Sequence, residues 1–552
     1  MIELRLVSLG RSVLSGALVH ACTLAHAAPP DAGSLLQGAR VPATQTARPQ
    51  VAVLTDPQRA NAIDRGERIR VSGLRVVGAE ALMSKYDISP LLLAGVGKHM
   101  SLRDLDEVAD RITRFYREKG FLVARAYVPA QDVVDGEVEI AVVEGRLDQV
   151  QALNKANVPT WLLSSLGALE IGAPVKTRAL KDALQPLQDL PGVEVRSTLR
   201  PGATVGGTEL LVDVAPGKAL TGSADADNFG SAYTGRYRLG LSLFLNNPLS
   251  LADQVGMRVQ TGGKDFAYGR LSYQLPVASA NTRVGLAWSR MRYQLGEELE
   301  ELQAQGSATV GSVYLSHALV RDADFSATAQ LQYDDTSLQD SVDAVGTTVA
   351  RKLRIGTASI SLEANDQWLR GGTTSASLLV AAGHLALDPQ TSRIDAATAR
   401  SEGAFSRVNA SLIRRQCLGS DTCLLLSYSA QWARKNLDSS QKMSAGGIFG
   451  VQALREGQLS GDSVQLARAE LLWQTSASWK LQWFYDVGHV RLNAQPWSDG
   501  GKVQSVSGTG LGATYTIRQL MARLVLARNL GDIYSDIQRS RWQMWTQLSG
   551  SF

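Results

Sequence analysis

From about residue 219 to its end, the chain is a series of short segments in which apolar and polar side chains alternate. In one segment, apolar residues take every second position and polar residues lie between them: Tyr237, Leu239, Leu241, Leu243 and Leu245 against Arg238, Ser242 and Asn246. Segments of about ten residues with this period, separated by turn residues, are typical of membrane-crossing strands. Lipid offers no partner for an unpaired backbone group, so such strands must close on themselves. We therefore predict a membrane β-barrel over residues 217–552.

We count about sixteen antiparallel segments of this kind. They begin near residues 219, 235, 253, 265, 281, 308, 324, 349, 373, 403, 422, 463, 478, 503, 520 and 541. An even number puts both ends of the barrel on the same, inner side. The connections at 295–307, 387–402, 436–462 and 492–502 are long and are expected on the outer side. A soluble all-β sandwich or propeller is the alternative, and the one-sided alternation up to the terminal Phe552 argues against it.

The N-terminus predicts that the mature chain leaves the cytoplasm. Arg5 and Arg11 precede a weakly apolar stretch, and Ala25-His26-Ala27 follows it. This order is typical of a secretory signal peptide over residues 1–27, with a core helix or a lipoprotein site at Cys22 as weaker alternatives. Residues 28–67 resemble a linker, in which a short helix at about 31–40 is expected after Asp31 as N-cap.

Composition excludes several classes of function. A hydrophobic content of 44% is ample for a core, and no apolar run after residue 27 reaches the roughly 18 residues of a spanning helix. The net charge of +4 is too small and scattered to indicate a nucleic-acid partner. Three cysteines and six dispersed histidines leave little material for a metal or redox site. We therefore expect no cofactor and no enzyme activity.

Residues 68–146 and 147–216 have the pattern of two compact α+β units. In the first, strands are expected over 68–77, 121–128 and 137–143, and a capping box formed by Ser101 and Asp104 predicts a helix over 102–118. The second unit repeats the order, with helices near 159–169 and 177–189 and strands at 193–200 and 207–215.

Two cysteines flank a short connection between barrel strands. Cys417 and Cys423 enclose residues 418–422 in a turn that we place on the inner side. In an oxidising compartment this pair is expected to form a disulfide, because a metal site would need more ligands than two thiols.

These features resemble the hemolysin secretion/activation (TpsB) family of two-partner secretion outer-membrane transporters. Gly120 to Leu147 is similar to the first POTRA domain of that family. The barrel start carries further family motifs: Asn228-Phe229-Gly230-Ser231, Thr234-Gly235, Asn247-Pro248, Asp253 and Tyr273-Gln274-Leu275-Pro276. The resemblance implies two POTRA domains in the periplasm, a barrel in the outer membrane of a Gram-negative bacterium, and an N-terminal helix that plugs the pore.

The resemblance also implies a function. Such transporters receive an unfolded, large secreted exoprotein, of the hemolysin or adhesin type, through their POTRA domains and pass it through the barrel without ATP. Outer-membrane lipid is the other expected partner, and a homodimer remains open. The runner-up function is assembly of other β-barrels into the membrane, and a passive porin is third because it leaves the POTRA units without a purpose.

The outer connection 436–462 is similar to the family's inward-folded loop. Family members typically have an arginine where this chain has Gln452, within Val451-Gln452-Ala453-Leu454. The partner motif, Phe484-x-Asp486-x-Gly488, is intact on a strand that points these residues into the lumen. A lumenal aspartate needs a counter-charge. Either Arg455 supplies it, or the loop is held less firmly; a loop that merely plugs the channel is the third possibility.

The first POTRA unit offers a route for client binding. Its strand at 121–128 is expected to be a sheet edge beside helix 102–118, so an extended client could add to it as a further strand. The candidate contact residues are Phe115, Phe121, Val123 and Tyr127, for which a place in the domain core is the alternative.

Overall fold

The computed structural model describes residues 30–39, 68–78, 86–93, 95–204, 206–322, 324–497, 503–531 and 540–552. The predicted signal peptide and most of the linker lie outside the described residues. Among those described, no helix is both long and apolar enough to cross a membrane.

Among the described residues, four α-helices and three small sheets precede the barrel. The elements are α1 (Ala32–Ala39), β1 (Arg68–Arg70), β2 (Gly73–Val77), α2 (Ser89–Leu93), β3 (His99–Ser101), α3 (Leu102–Glu118), β4 (Arg125–Tyr127), β5 (Glu137–Val143), β6 (Arg146–Asn154), α4 (Thr177–Gln188), β7 (Val193–Pro201) and β8 (Gly207–Pro216). A 3₁₀ helix over Thr160–Ala168 lies where the sequence predicted an α-helix near 159–169.

The first α+β unit is a sheet of order β2-β5-β4 covered by α3. The capping box is confirmed, since Asp104 accepts from the Ser101 backbone N–H at 2.8 Å while the Ser101 hydroxyl accepts from the Asp104 N–H. The buried face of α3 places Val108, Ile112 and Tyr116 against the sheet. Apolar residues at three- and four-residue spacing produce this one-sided burial.

The second unit repeats the arrangement and docks on the barrel. Its sheet has the order β6-β8-β7, and its core continues into Ala252, in the connection before β11, and Ala280, at the start of β13. An ion pair between Asp189 and Arg321, at 2.7 Å, adds a polar link. Arg283 donates to the Asp189 carbonyl at 2.6 Å. The second unit therefore lies directly at the inner mouth of the barrel.

The barrel itself is closed by sixteen antiparallel strands. The strands are β9 (Leu220–Asp227), β10 (Arg238–Asn246), β11 (Gln254–Thr261), β12 (Phe266–Val277), β13 (Ser279–Gln294), β14 (Ala304–Arg321), β15 (Phe325–Val342), β16 (Thr347–Asp366), β17 (Gly372–Leu387), β18 (Gly403–Cys417), β19 (Thr422–Ala433), β22 (Ser463–Gln474), β23 (Trp479–Arg491), β24 (Val503–Ile517), β25 (Leu520–Asn529) and β26 (Trp542–Ser551), with the short pair β20 (Met443–Ser444) and β21 (Ser460–Gly461) inside the long loop. The predicted barrel is confirmed; the largest displacement of a strand start is at β14, expected near 308 and observed at Ala304.

Within the part of the chain that the structure describes, two segments occupy the barrel interior. Helix α1 buries Ala32, Leu36 and Ala39 against inward side chains of the wall such as Met291 and Leu353. The loop over 436–462, called the inner loop below, forms a second core against strands β22 to β26. The lumen therefore holds a helix on one side and a folded loop on the other.

The predicted edge strand over 121–128 is wrong in its extent, because only Arg125–Tyr127 is a strand. Phe121 instead forms an isolated bridge to Lys176 and is buried at the junction of the two α+β units. The Ala126 N–H is taken by the Thr113 hydroxyl of α3 at 2.9 Å. The edge is therefore short and partly capped from within its own domain.

Candidate functional site

The tip of the inner loop rests on Asp486 of β23. The Gln452 backbone N–H donates to the Asp486 carboxylate at 2.9 Å. Gln452 is fully buried, and Asp486 is 1% exposed. A carboxylate at this depth needs compensating charge and donors, so its other contacts decide how firmly the loop is held.

The compensating charge comes from Arg468 on the neighbouring strand β22. Arg468 lies directly opposite Asp486 in the strand register, and its Nε is 2.5 Å from the carboxylate. The same guanidinium donates to the loop carbonyls of Gly450 and Ile448. One arginine thus neutralises Asp486 and binds the loop backbone at two further points.

Arg468 takes the place that the sequence analysis offered to Arg455. Among the described residues, the ion pair of Asp486 is with Arg468, and the Arg455 backbone N–H donates to Gln458 at 2.9 Å. The reason is geometric: a residue opposite Asp486 in an antiparallel pair is held beside it by the sheet. The pair can be found from the sequence: counting residues in both directions from the turn between β22 and β23, starting at Gln474 and Lys480, places Arg468 opposite Asp486.

Gln452 is integrated into this cluster although it carries no charge. With its amide oxygen facing Arg468, it accepts from the guanidinium at 3.0 Å and 3.1 Å. Its backbone carbonyl accepts from the Trp545 indole N–H at 2.7 Å. The loop tip therefore bridges β22 and β23 to β26, the strand that closes the barrel.

Small residues in the wall make room for the tip. A Cβ on Gly488 would lie 3.2 Å from Val451, and one on Gly508 would lie 2.6 Å from Ala453. Phe484 is fully buried, and a Cβ on Gly510 would lie 2.5 Å from its ring. Gly508 and Gly510 were missed by the sequence analysis, whereas Phe484, Asp486 and Gly488 lie inside as predicted by alternation.

A second charged cluster holds α1. Arg351 of β16 contacts three carboxylates from three parts of the chain: Asp31 at 2.9 Å, Asp438 at 2.8 Å, and Asp340. Asp31 precedes α1 and Asp438 lies in the inner loop, so one guanidinium binds both interior segments. Burial acts to raise the pKa of Asp31, but Arg351, the Ser439 hydroxyl and the Ser34 backbone N–H outweigh it and lower that pKa.

Direct contacts also join α1 to the loop. The Ser439 hydroxyl donates to Asp31 at 2.5 Å, and the Gln37 side chain donates to the Ser439 carbonyl at 3.0 Å. A Cβ on Gly33 would lie 2.6 Å from the Ser440 nitrogen, so only glycine allows this approach. The helix and the loop therefore form one interior assembly anchored at Arg351.

The four residues suggested for client contact lie in two different places. Tyr127 lies half-buried on the edge strand β4, and Phe115 packs partly buried between Tyr86 and Tyr116. Phe121 is buried, and Val123 packs against the core of the second α+β unit. The four side chains do not form one surface, because Phe121 and Val123 stabilise the junction between the two units.

Cys417 and Cys423 lie opposite each other at the ends of β18 and β19 and are joined by a disulfide. This turn is at the same end of the barrel as the α+β units, since β18 runs toward that end.

Comparisons with known proteins agree with this architecture. The family described as haemolysin secretion/activation protein ShlB/FhaC/HecB matches residues 206–515, which is more than half of the chain. The ShlB-type POTRA domain matches residues 69–145. The chain therefore belongs to the haemolysin secretion/activation family of outer-membrane transporters.

Individual relatives extend over most of the chain. A heme/hemopexin transporter protein, HuxB, of Haemophilus influenzae is 29% identical over 443 residues, covering 77% of each chain. The outer membrane transporter CdiB of Escherichia coli is 26% identical and covers 82% of this chain and 76% of its own. The solved structure of CdiB from Escherichia coli matches with a TM-score of 0.62 at 22% identity, over 91% of this chain and 94% of that one.

Family membership fixes the setting of the site. The barrel lies in the outer membrane and the POTRA units lie in the periplasm. The family consists of transporters of secreted proteins. The inner loop and α1 therefore lie in the path between the periplasm and the cell surface.

Proposed function

We propose that this chain exports one large secreted protein, which its POTRA domains bind unfolded in the periplasm and its barrel passes to the surface. The observation that carries the proposal is the nature of the obstruction. Among the described residues, α1 and the inner loop occupy the lumen; each packs on the wall through apolar side chains, and their ion pairs with the wall are concentrated at Arg351 and Asp486. A path closed by removable segments suits a regulated protein channel better than a porin.

Helix α1 is the segment that we expect to leave first. It has eight residues, and its polar anchors are Asp31 and Gln37 together with the Ala32 N–H, which donates to Asp340. The residues before β1 provide the length that lets a displaced helix remain attached. The inner loop, by contrast, is held at its tip by Asp486 and at its base by Asp462, which accepts from the N–H groups of Leu437 and Ala494.

Client binding is proposed for the POTRA units, with two candidate surfaces. Tyr127 and Phe115 remain available on the first unit, beside the short edge strand β4. The second unit offers β7, a nine-residue strand at the sheet edge that pairs with β8 on one side. An extended client can bind such an edge through main-chain hydrogen bonds. Strand β7 also lies in the unit docked at the barrel mouth, which favours it as the final contact before entry.

The relatives support a dedicated client. Their names describe a heme/hemopexin transporter and a hemolysin transporter. Assembly of other β-barrels remains the second candidate function. The solved structure of BamA from Haemophilus ducreyi shares the fold, with a TM-score of 0.56 at 12% identity.

The test is deletion of the gene in its own host, followed by quantitative proteomics of the culture medium and the cell surface. Dedicated export predicts that one large protein is lost from both and that outer-membrane barrels keep their levels. Depletion of several unrelated barrel proteins would contradict export and favour assembly. The full-length chain is the complementation control. A chain with cysteines at positions 31 and 439, joined by a thiol crosslinker, is expected to fail to restore export until the crosslink is cleaved.

A further inference from the structure

The outer wall of the barrel carries a group of basic side chains near its extracellular end, called the basic strip below. Its members are Arg290 and Arg292 on β13, Lys352 and Arg354 on β16, and His384 on β17. All five side chains are exposed and alternate with inward-facing residues of their strands. They therefore face the surroundings of the barrel and not its lumen.

The strand register brings these basic side chains together. Arg290 lies opposite Thr309, Thr309 opposite Ser337, and Ser337 opposite Lys352. Four neighbouring strands therefore carry a cation at each end of this row and hydroxyl side chains between them. At a strand spacing of about 4.8 Å, the row is about 14 Å wide. The row therefore has two hydroxyl side chains, Thr309 and Ser337, between two basic side chains, Arg290 and Lys352.

The basic strip borders the lipid-facing surface. One to three outward-facing positions nearer the periplasm on β13 to β15 lie apolar residues that are about half exposed: Leu286, Trp288, Val313, Leu331 and Tyr333. Arg354 lies in the next outward-facing row toward the periplasm, which the register continues through Asp335 and Gly311 to Trp288. The basic strip and the apolar residues therefore meet in this row.

The strip has an excess of positive charge. Arg354 is 3.6 Å from Asp335, and both side chains are more than half exposed. Arg290, Arg292 and Lys352 take part in no ion pair within the described residues. Exposed cations on a soluble face are commonly only hydrated, but these lie next to tryptophan, tyrosine and leucine side chains that face lipid. At that depth the available anions are the phosphates of the lipid head groups.

We propose that the basic strip is a binding site for the phosphate groups of outer-leaflet lipid, with a phosphorylated glycolipid as the occupant. Arg290 and Lys352 bind the phosphate from the two sides, and the hydroxyl groups of Thr309 and Ser337 between them donate hydrogen bonds to it. Trp288 and Tyr333, nearer the periplasm, contact the acyl chains. The site is independent of the export path, since its side chains point away from the lumen.

The test uses the full-length protein in phosphatidylcholine nanodiscs doped with bisphosphorylated lipid A or with its dephosphorylated form. Native mass spectrometry then measures how many lipid A molecules remain bound. The proposal predicts retention of the bisphosphorylated form alone and a loss of at least tenfold in the double variant R290Q/K352Q, as expected for two cations removed at an anionic lipid surface.

The matched control is R491Q/K480Q, which removes the same charge from exposed positions of β23. It is expected to retain lipid A like the unmodified protein. Retention of the bisphosphorylated form by R290Q/K352Q, or equal retention of the dephosphorylated form, would overturn the proposal. Heat-modifiable electrophoretic migration confirms that each variant has a folded barrel.

Discussion

Arg468 and Asp486 face each other across two neighbouring barrel strands, and together they hold the tip of a loop that the chain sends back into its own lumen. The carboxylate accepts the Gln452 N–H, and the guanidinium donates to loop carbonyls on the other side. The charge that relatives are expected to carry on the loop is thus carried here by the wall. The loop contributes backbone groups and a neutral amide.

Removal of Arg468 is expected to release the loop tip. Arg468→Ala leaves Asp486 buried without its counter-ion, a change that typically costs about 3–5 kcal/mol. We expect larger and noisier single-channel conductance in planar bilayers. Asp486→Ala is expected to have a similar effect, and the double variant to be no worse than either single one, because the two residues act as a pair. Strictly additive effects would show that they act separately.

A double-mutant cycle of Arg455 and Asp486 tests the alternative from the sequence, in which Arg455 supplies the counter-charge. Arg455→Ala is expected to add to Asp486→Ala, since Asp486 is paired with Arg468. Non-additivity between Arg455 and Asp486 of more than about 0.5 kcal/mol, the usual limit for independent sites, would restore the earlier assignment.

A charge exchange provides a second prediction. Gln452→Arg alone places a second guanidinium where Gln452 now accepts from Arg468, and like charges in a buried site repel. It is expected to loosen the loop. Adding Arg468→Gln gives Asp486 one arginine again, this time from the loop, and is expected to return conductance toward that of the unmodified protein. A Gln452→Arg chain with unchanged conductance would contradict the cluster described here.

Arg351 is predicted to control both interior segments. Arg351→Gln removes the shared cation from Asp31, Asp340 and Asp438, so we expect displacement of α1 together with loosening of the loop base. Asp31→Asn is expected to affect α1 alone. A spin label on α1 and a second on the loop measure the two motions separately, and Lys352→Gln, one residue away but facing outward, is the control. Movement of only one segment in Arg351→Gln would refute the shared anchor.

The inner loop is expected to respond to pH through Glu456. Burial raises the pKa of Glu456 to about 7, with Arg238 opposing the shift. Because the folded loop raises this pKa, the charged form disfavours the folded position. The loop is expected to loosen as pH rises from about 4.5, the ordinary value, to about 7. Glu456→Gln should abolish this pH dependence. Bilayer conductance against pH measures it, and an unchanged transition in the variant would assign it to another group.

The barrel could be predicted from the sequence because its cause is local. Each strand must present one face to lipid and one to the lumen, so the two-residue period of segments such as 237–245 reports the environment directly. The same alternation predicts that Phe484, Asp486 and Gly488 point inward. The capping box at Ser101 and the helix of α1 depend on neighbouring residues in the same way.

The sequence by itself therefore determined the strands, their faces, the two α+β units and the family. Only the tertiary structure decided which side chains meet: Asp31 contacts Ser439 across 408 residues, and Arg468 rather than Arg455 reaches Asp486. It also decided that the strand expected at 121–128 is reduced to three residues, because Phe121 is drawn into the junction with the second unit. Alternation gives the direction of each side chain, and counting from the turn gives the register pair of Arg468 and Asp486. The contacts of the inner loop and α1 with the wall depend on how these segments fold back into the closed barrel, which no local pattern records.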